Sequence, residues 1–384
     1  MEKVIAKSIF DDLSYELVIS DNKIQDVILL KESLETDRWF GPGFFDIQVN
    51  GYGGFDYNSL QNNFLDLGQI SRILREKGGC YHFPTVITNS SEMLIKLLKQ
   101  IIQLIHSDQE AKESIQGIHL EGPFISSEEG PRGAHFKEFV QAPDWSLFQK
   151  FQDAAEGNIK LITLSPEWVG SASFIEKCVD SGVLVSIGHT NANQIQIQEA
   201  VKAGATLSTH LGNGAHGMLP RHPNYLWSQL AEDGLATSII ADGFHLPKEV
   251  IQVFKKVKGD KLLLVSDSVA LAGMEPGDYE TPVGGKVRLT SEGKLHLREN
   301  SQTLAGSALN LLQGVNFLIR NQLASVSEAW KMASLIPHQV VQKNSYLWNP
   351  QTSPDLVIAQ MNENSELEIL KTFQNRREVY SQMS

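Results

Sequence analysis

Apolar stretches of strand length recur along the chain from about residue 41 onward, and segments with helical spacing separate them. Apolar side chains three and four residues apart, as in 60–74 and 94–105, are typical of helices that bury one face. Roughly 300 residues of alternating strands and helices are typical of a (β/α)₈ barrel. We predict its strands near 44–49, 80–88, 116–121, 159–164, 183–188, 205–210, 237–242 and 261–266.

The two ends of the chain have a different hydrophobic pattern, in which short apolar runs are separated by turns. Asp21-Asn22 separates two such runs near the N-terminus, and 355–358 and 367–370 repeat the pattern near the C-terminus. We therefore predict an α/β protein in which residues 1–40 and 347–384 form one small β-sandwich domain. The barrel would span residues 41–346.

One insertion into the barrel is visible near 278–300. The apolar runs 287–289 and 294–297 flank the turn residues Ser-Glu-Gly, which predicts a β-hairpin.

Side chains that can do chemistry stand where the predicted strands end. Glu121, His189, His210 and Asp267 each close an apolar run. Because the C-terminal ends of barrel strands converge on one face, these four side chains can share a pocket. One carboxylate and two imidazoles suit Zn²⁺ with an open position for water, and Asp267 can then transfer protons. The alternative for each residue taken singly is a polar strand end that caps the next helix.

Further candidates lie in loops. His135 and His245 can reach a substrate, although surface histidines are the alternative. The glycine-rich stretch from His210 to Pro223 contains Arg221, which can clamp a phosphate, although a tight structural turn would use the same glycines. The stretch 303–307 predicts a helix that begins at Ser307, which can face an anion or be an ordinary capped helix.

The composition of the chain limits the classes of molecule with which it is expected to interact. The 384 residues carry a net charge of −12 and include two cysteines. An acidic chain argues against a nucleic-acid partner, and no apolar run reaches the length of a membrane span. The N-terminal residues lack the pattern of a signal peptide. We expect a cytoplasmic protein that acts on a small molecule.

Several motifs together resemble the amidohydrolase superfamily and, within it, the family of N-acetylglucosamine-6-phosphate deacetylases. They follow that family's order along nearly the whole chain: Pro42-Gly-Phe-Phe-Asp46-Ile-Gln48-Val-Asn50-Gly51, His119-Leu-Glu121-Gly-Pro-Phe, Gly188-His189-Thr190, Thr209-His210-Leu-Gly-Asn213, Ala241-Asp-Gly-Phe-His245, Val265-Ser-Asp267 and Leu304-Ala-Gly-Ser-Ala308.

The resemblance implies a hydrolase of linear amides that converts N-acetylglucosamine 6-phosphate to glucosamine 6-phosphate and acetate. By the same resemblance, Glu121, His189 and His210 hold a divalent metal ion, with zinc favoured, Asp267 is the general base and acid, and His135 polarises the carbonyl. The substrate-binding residues that it implies are Ala134, His135, Asn213, Gly214, His245, Thr303, Leu304 and Ala305. Arg221 would reach the phosphate bound by a neighbouring subunit, which implies a homodimer.

Three departures from the superfamily pattern qualify this expectation. Gln48 and Asn50 stand where most members carry two histidines, and the fourth strand ends in Thr163-Leu-Ser-Pro166, without a lysine that could bridge two metals. Both differences favour one metal ion per subunit. Residues 212–217 replace a run that is usually aromatic-Asn-Ala-Met.

The third departure keeps other substrates open. The same chemistry could act on another N-acyl amino sugar, such as N-acetylgalactosamine 6-phosphate, or on an N-acyl amino acid. A catalytically inactive barrel used for binding is the remaining alternative, although Glu121, His189, His210 and Asp267 are all present.

Overall fold

The two ends of the chain form one sheet in the computed structural model, which describes residues 1–32, 34–61, 63–281, 285–342 and 346–382. Its seven strands are β1 (Glu2–Ser8), β2 (Ser14–Ser20), β3 (Lys23–Leu29), β4 (Arg38–Gly41), β19 (Leu356–Met361), β20 (Leu367–Gln374) and β21 (Arg377–Ser381). Parallel pairing of β1 with β4 closes the sheet on itself around a small apolar core. The termini thus share one β-unit, as the sequence predicts, but it is a single closed sheet where the pattern predicts a two-sheet sandwich.

The middle of the chain forms an eight-stranded parallel sheet whose strands pair in chain order. These strands are β5 (Phe44–Val49), β8 (Gly79–Ile87), β9 (Ile118–Glu121), β10 (Ile159–Leu164), β11 (Leu184–Ile187), β12 (Leu207–Ser208), β13 (Ala236–Ile239) and β14 (Leu262–Leu264). A parallel bridge between Val49 and Ser268 brings the two edge strands together, so the sheet is nearly a closed barrel. The predicted (β/α)₈ fold is confirmed.

Helices pack around this barrel: α1 (Gly68–Glu76), α2 (Ser91–Ser107), α3 (Gln109–Ser114), α4 (Trp145–Ala154), α5 (Ser171–Asp180), α6 (Gln194–Lys202), α7 (Tyr225–Ala231), α8 (Lys248–Lys258), α9 (Leu311–Arg320), α10 (Val326–Ala333) and α11 (Leu335–Val341). Several of them begin after a side chain that caps the first turn; Asn193, for example, forms a reciprocal capping box with Gln196. Among the described residues, no helix combines the length and the apolar character needed to cross a membrane.

Two smaller sheets complete the fold. The strands β6 (Gly51–Tyr52) and β7 (Phe55–Asp56) form a short antiparallel pair. The predicted hairpin insertion is the centre of a four-stranded antiparallel sheet, made of β15 (Gly277–Thr281), β16 (Gly285–Leu289), β17 (Leu295–Leu297) and β18 (Asn300–Leu304).

The prediction of a helix beginning at Ser307 is wrong. Ser307 forms a parallel bridge with Ser268, and its carbonyl accepts a hydrogen bond from Val269 N–H, so the backbone there is extended. The helix α9 begins at Leu311, after Asn310, which caps it together with Gln313. The Ser307 bridge therefore delays the helix by four residues.

A buried carboxylate joins the terminal sheet to the start of the barrel. Asp355, just before β19, accepts a hydrogen bond of 2.6 Å from Gly43 N–H, just before β5. The hydroxyls of Tyr81 and Tyr346 lie 3.5 Å from its other oxygen. Burial raises the pKa of Asp355 to about 6, above its ordinary value of 3.8, because these partners only partly replace water.

Replacing Asp355 with Asn should change the pH dependence of folding. A carboxyl whose pKa is raised in the folded protein destabilises the fold progressively as pH rises from the unfolded to the folded pKa. The Asp355→Asn variant lacks this loss, so its unfolding free energy relative to wild type should rise by on the order of 1 kcal/mol between about pH 5 and about pH 7.5. Denaturant unfolding at the two pH values measures it, and a difference that does not change with pH would contradict the assignment.

Candidate metal centre and active site

Three metal-binding side chains meet at the C-terminal ends of neighbouring barrel strands. Glu121 ends β9, and His189 and His210 each stand two residues after the end of β11 and β12. Nε2 of His189 and Nε2 of His210 lie 3.2 and 3.1 Å from Glu121 Oε1, and 3.2 Å from each other. All three side chains are buried. Among the described residues, this is the one group of three or more such side chains with metal-binding spacing.

The backbone at the site is held in an unusual conformation. His189, His210 and Asp267 have φ angles of +49°, +29° and +49°, in the left-handed region that residues with a Cβ seldom adopt. Such conformations persist when surrounding contacts impose them, and they concentrate at functional sites. Here His210 N–H donates to Ser238 Oγ at 2.8 Å, and His189 O accepts from Ser126 N–H at 2.8 Å.

The orientation of the imidazoles suits a cation between them. His189 Nδ1 lies 2.8 Å from the carbonyl of Pro131, so the proton sits on Nδ1 and the Nε2 lone pair faces the cluster. In the absence of an ion, burial alone would raise the pKa of Glu121, but the hydrogen bonds and charge that His189 and His210 provide when protonated on Nε2 outweigh it and hold that pKa well below its ordinary value. Burial lowers the pKa of His210, but the hydrogen bond and charge of Glu121 outweigh burial, so this pKa is raised above its ordinary value. The cluster therefore favours positive charge at its centre.

Asp267 faces this cluster across a bridging amide. Gln48 Nε2 donates to Asp267 Oδ1 at 3.1 Å and to Glu121 Oε1 at 3.0 Å, and Asn50 Nδ2 donates to Asp267 Oδ1 at 2.8 Å. Burial, then the charge of Glu121, raises the pKa of Asp267 to about 6. The alternative role as a helix cap is wrong, because the next described helix begins only at Leu311.

His135 reaches the same pocket from the loop after β9. Its ring centroid lies 4.5 Å from that of His189, and its Nδ1 lies 2.8 Å from Thr88 Oγ1. Burial, then the charge of His189, lowers its pKa to about 3, so the ring is neutral near pH 7. Sequence reasoning missed Thr88, although it closes the predicted strand 80–88 and so carried the same strand-end signal.

The unusual 212–217 loop packs directly on one candidate ligand. A Cβ at Gly214 would lie 2.6 Å from His189 Nδ1, and φ at this position is +54°. Asn213 Nδ2 donates to His210 O at 3.2 Å. The glycine therefore allows the loop to close against the imidazole, and Asn213 fastens the loop beside it.

The remaining predicted binding residues lie farther out. His245 Nδ1 is 2.6 Å from Asp242 Oδ2, which leaves Nε2 for another partner. Ala134, Arg221 and Thr303 are exposed, whereas Leu304 and Ala305 are half-buried. Ala305 is two residues from Ser307, whose bridge to Ser268 places this segment beside Asp267.

Residues 41–380 match the model of the amidohydrolase family. The chain belongs to the amidohydrolase family.

Similar amidohydrolases act on amino-sugar phosphates. The N-acetylglucosamine-6-phosphate deacetylase of Bacillus subtilis is 33% identical over 285 residues, which cover 72% of this chain and 69% of that protein. The N-acetylgalactosamine-6-phosphate deacetylase of a Shewanella species is 30% identical and covers 78% of this chain and 74% of its own. The solved N-acetylglucosamine-6-phosphate deacetylase from Thermotoga maritima superposes with a TM-score of 0.82 at 25% identity and covers 99% of both chains.

Substitution of Gly214 by Ala should weaken metal binding in this amidohydrolase. The new Cβ would collide with the His189 ring, and an L side chain is strained at this φ. We expect the zinc affinity to fall by about 10-fold or more, measured by competition with a chromophoric chelator.

Gly217→Ala is the matched control, because a Cβ at Gly217 meets nothing within 4 Å. Equal zinc affinities in the two variants would contradict the role given to Gly214.

Proposed function

We propose that this chain is a metal-dependent deacetylase that hydrolyses N-acetylglucosamine 6-phosphate to glucosamine 6-phosphate and acetate. The observation that carries the proposal is the convergence of Glu121, His189 and His210 within hydrogen-bonding distance, with Asp267 beside them. The identity of the substrate is inferred from the similar N-acetylglucosamine-6-phosphate deacetylases of Bacillus subtilis and Thermotoga maritima.

One divalent ion per subunit, preferably Zn²⁺, would be held by Glu121, His189 and His210. Two imidazole nitrogens and one carboxylate oxygen are a donor set of catalytic zinc sites, which keep a further position open. Gln48 and Asn50 present amide N–H groups to Asp267, so they act as hydrogen-bond donors rather than as ligands of a second ion. An ion held there would serve as a Lewis acid that polarises the acetyl carbonyl and lowers the pKa of a bound water.

Asp267 is the proton carrier. With a pKa of about 6 it is mostly ionised near pH 7, yet basic enough to accept a proton from the attacking water. The Gln48 and Asn50 amides hold Oδ1, which leaves Oδ2 to receive the proton. The water oxygen bonds to the acetyl carbon as Asp267 accepts one water proton. As the bond between the acetyl carbon and the amide nitrogen breaks, Asp267 returns that proton to the nitrogen, so the free amine leaves together with acetic acid, which carries the second water proton and ionises to acetate.

His135 contributes as a neutral hydrogen-bond donor. The Thr88 hydroxyl lies 2.8 Å from His135 Nδ1 and 3.4 Å from Glu121 O. When its one proton goes to the nearer Nδ1, the imidazole proton sits on Nε2 and can donate to the acetyl oxygen. A neutral donor strengthens as negative charge develops on that oxygen, and it takes no proton from Asp267.

The phosphate would be bound by His245 and by Arg221 of a second subunit, in a homodimer. Asp242 Oδ2 lies 2.6 Å from His245 Nδ1 and fixes the orientation of the ring, which leaves Nε2 to contact the phosphate. Arg221 stands on an exposed surface between β12 and α7 together with Met218, which is 91% exposed. A guanidinium there can supply local anion-binding charge, although the chain as a whole is acidic.

A second candidate substrate is N-acetylgalactosamine 6-phosphate. Residues 212–217 replace a run that is usually aromatic-Asn-Ala-Met in the family, and Gly214 packs on the His189 ring, so the loop beside the proposed metal ligands differs from the family pattern. One relative of similar identity carries that activity in its name.

The assay that tests the substrate is acetate release by zinc-loaded protein from four sugars: N-acetylglucosamine and N-acetylgalactosamine, each with and without the 6-phosphate. We expect turnover of N-acetylglucosamine 6-phosphate with kcat/KM at least about 100-fold above its unphosphorylated form, because a charged hydrogen-bonded phosphate contributes about 3 kcal/mol. Arg221→Ala should remove most of this preference. Preference for the galactosamine epimer supports the second candidate, and no turnover of any of the four contradicts both.

Asp267→Asn should abolish turnover while zinc binding remains. The amide oxygen of Asn can still accept from Gln48 and Asn50, but it cannot accept a proton from water, so kcat should fall by about 1,000-fold or more. Asp355→Asn, the same substitution at the opposite end of the barrel, should keep kcat near wild type. Near-normal kcat in Asp267→Asn would remove Asp267 from the mechanism.

A further inference from the structure

A chain of hydrogen bonds crosses the inside of the barrel directly beneath the proposed metal ligands. His119 Nε2 lies 2.7 Å from Thr163 Oγ1, Thr163 Oγ1 lies 2.7 Å from Thr209 Oγ1, and Thr209 Oγ1 lies 2.5 Å from Ser186 Oγ. The exposed fractions of all four residues are between 0 and 4%. Branched apolar side chains usually fill barrel interiors, so this polar layer is unusual.

This series of hydrogen bonds connects the strands that lead to the three proposed ligands, Glu121, His189 and His210. His119 stands two residues before Glu121, and Thr209 directly precedes His210. Gly188, directly before His189, lacks the Cβ that would lie 2.8 Å from both Thr163 Cγ2 and Thr209 Cβ. The two threonines therefore meet across the residue that leads into His189.

Thr163 is the central link, although its own strand supplies no ligand. The strand β10 lies between β9 and β11 in the sheet, and Thr163 pairs with Glu121 on one side and with Ser186 on the other. Its hydroxyl bonds to both His119 and Thr209, so it couples the Glu121 strand to the His210 strand. A buried polar network of this kind is costly when incomplete and rigid when complete.

We propose that Thr163 is a positioning residue, whose hydroxyl sets the spacing of Glu121 and His210 through His119 and Thr209. The inference rests on the proposed function, because it assigns the layer a role toward the metal. Such partners beneath a metal site hold ligands in geometry without touching the ion. The strained backbones of His189 and His210 are the conformations that the layer helps to impose.

Thr163→Val tests the proposal, because valine keeps the shape and removes the hydroxyl. We expect zinc affinity to fall by about 10-fold or more, kcat to fall by a similar factor, and KM to stay within about 2-fold. The visible absorption of the Co²⁺-loaded protein should also change, since it reports ligand geometry. Thr163→Ser keeps the hydroxyl and should restore zinc affinity to within about 3-fold of wild type.

Thr237→Val is the matched control. Thr237 is equally buried, on the barrel strand β13, and its hydroxyl has no hydrogen-bond partner among the described residues. This variant should bind zinc as wild type does. Thermal unfolding of all variants without metal separates loss of metal geometry from general destabilisation.

The outcomes separate this inference from the proposed function. Wild-type protein that binds no metal contradicts the proposed function itself. Wild-type metal binding with equal affinity in Thr163→Val overturns the positioning role. If Thr163→Val does not fold, Ser186→Ala shortens the same chain at its end: zinc affinity reduced by about 3-fold supports the role, and unchanged affinity overturns it.

Discussion

The site depends on the pairing of the first barrel strand, at Gln48 and Val49, with the segment that follows the last barrel strand, at Asp267 and Ser268; we call this pairing the seam. Asp267 N–H donates to Gln48 O at 3.0 Å, and Val49 bridges Ser268, so two segments more than 200 residues apart run side by side. Only this pairing lets the Gln48 amide touch both Asp267 and Glu121. Barrel closure therefore does more than bury apolar surface, because it brings Asp267 beside the cluster of Glu121, His189 and His210.

The two buried carboxylates that meet at this seam, Glu121 and Asp267, have different electrostatic surroundings. Glu121 has two imidazoles against it, which hold its pKa well below the ordinary value. Asp267 has amide donors and the neighbouring charge of Glu121, so burial and repulsion raise its pKa to about 6. Two carboxyls whose pKa values are pushed apart by their surroundings can take different roles in acid–base chemistry, which is what the proposed roles of Glu121 and Asp267 require.

Sequence patterns predicted the parts of this site that follow from local rules. Each apolar run with a polar residue at its end placed Glu121, His189, His210 and Asp267 on one face, because strand direction alone decides that. Contacts from loops could not be predicted in this way. Pro131 O meets His189 across 58 residues and Thr88 meets His135 across 47, and no local spacing encodes such pairs. The closed terminal sheet and the late start of α9 were missed for the same reason, since each depends on a long-range bridge.

The hydroxyl layer beneath the site explains why a barrel interior would carry polar groups at all. The left-handed backbone conformations of His189 and His210 cost free energy. Apolar packing is not directional, so by itself it holds such conformations only weakly. Hydrogen bonds are directional, and the one between Thr163 and Thr209 fixes the residue before His210. Both threonines also pack closely around Gly188, the residue before His189. In the positioning role proposed for Thr163, this polar layer holds the strands that lead to Glu121, His189 and His210 in register within the folded chain itself. An ion bound by those three side chains would then enter a geometry that already exists.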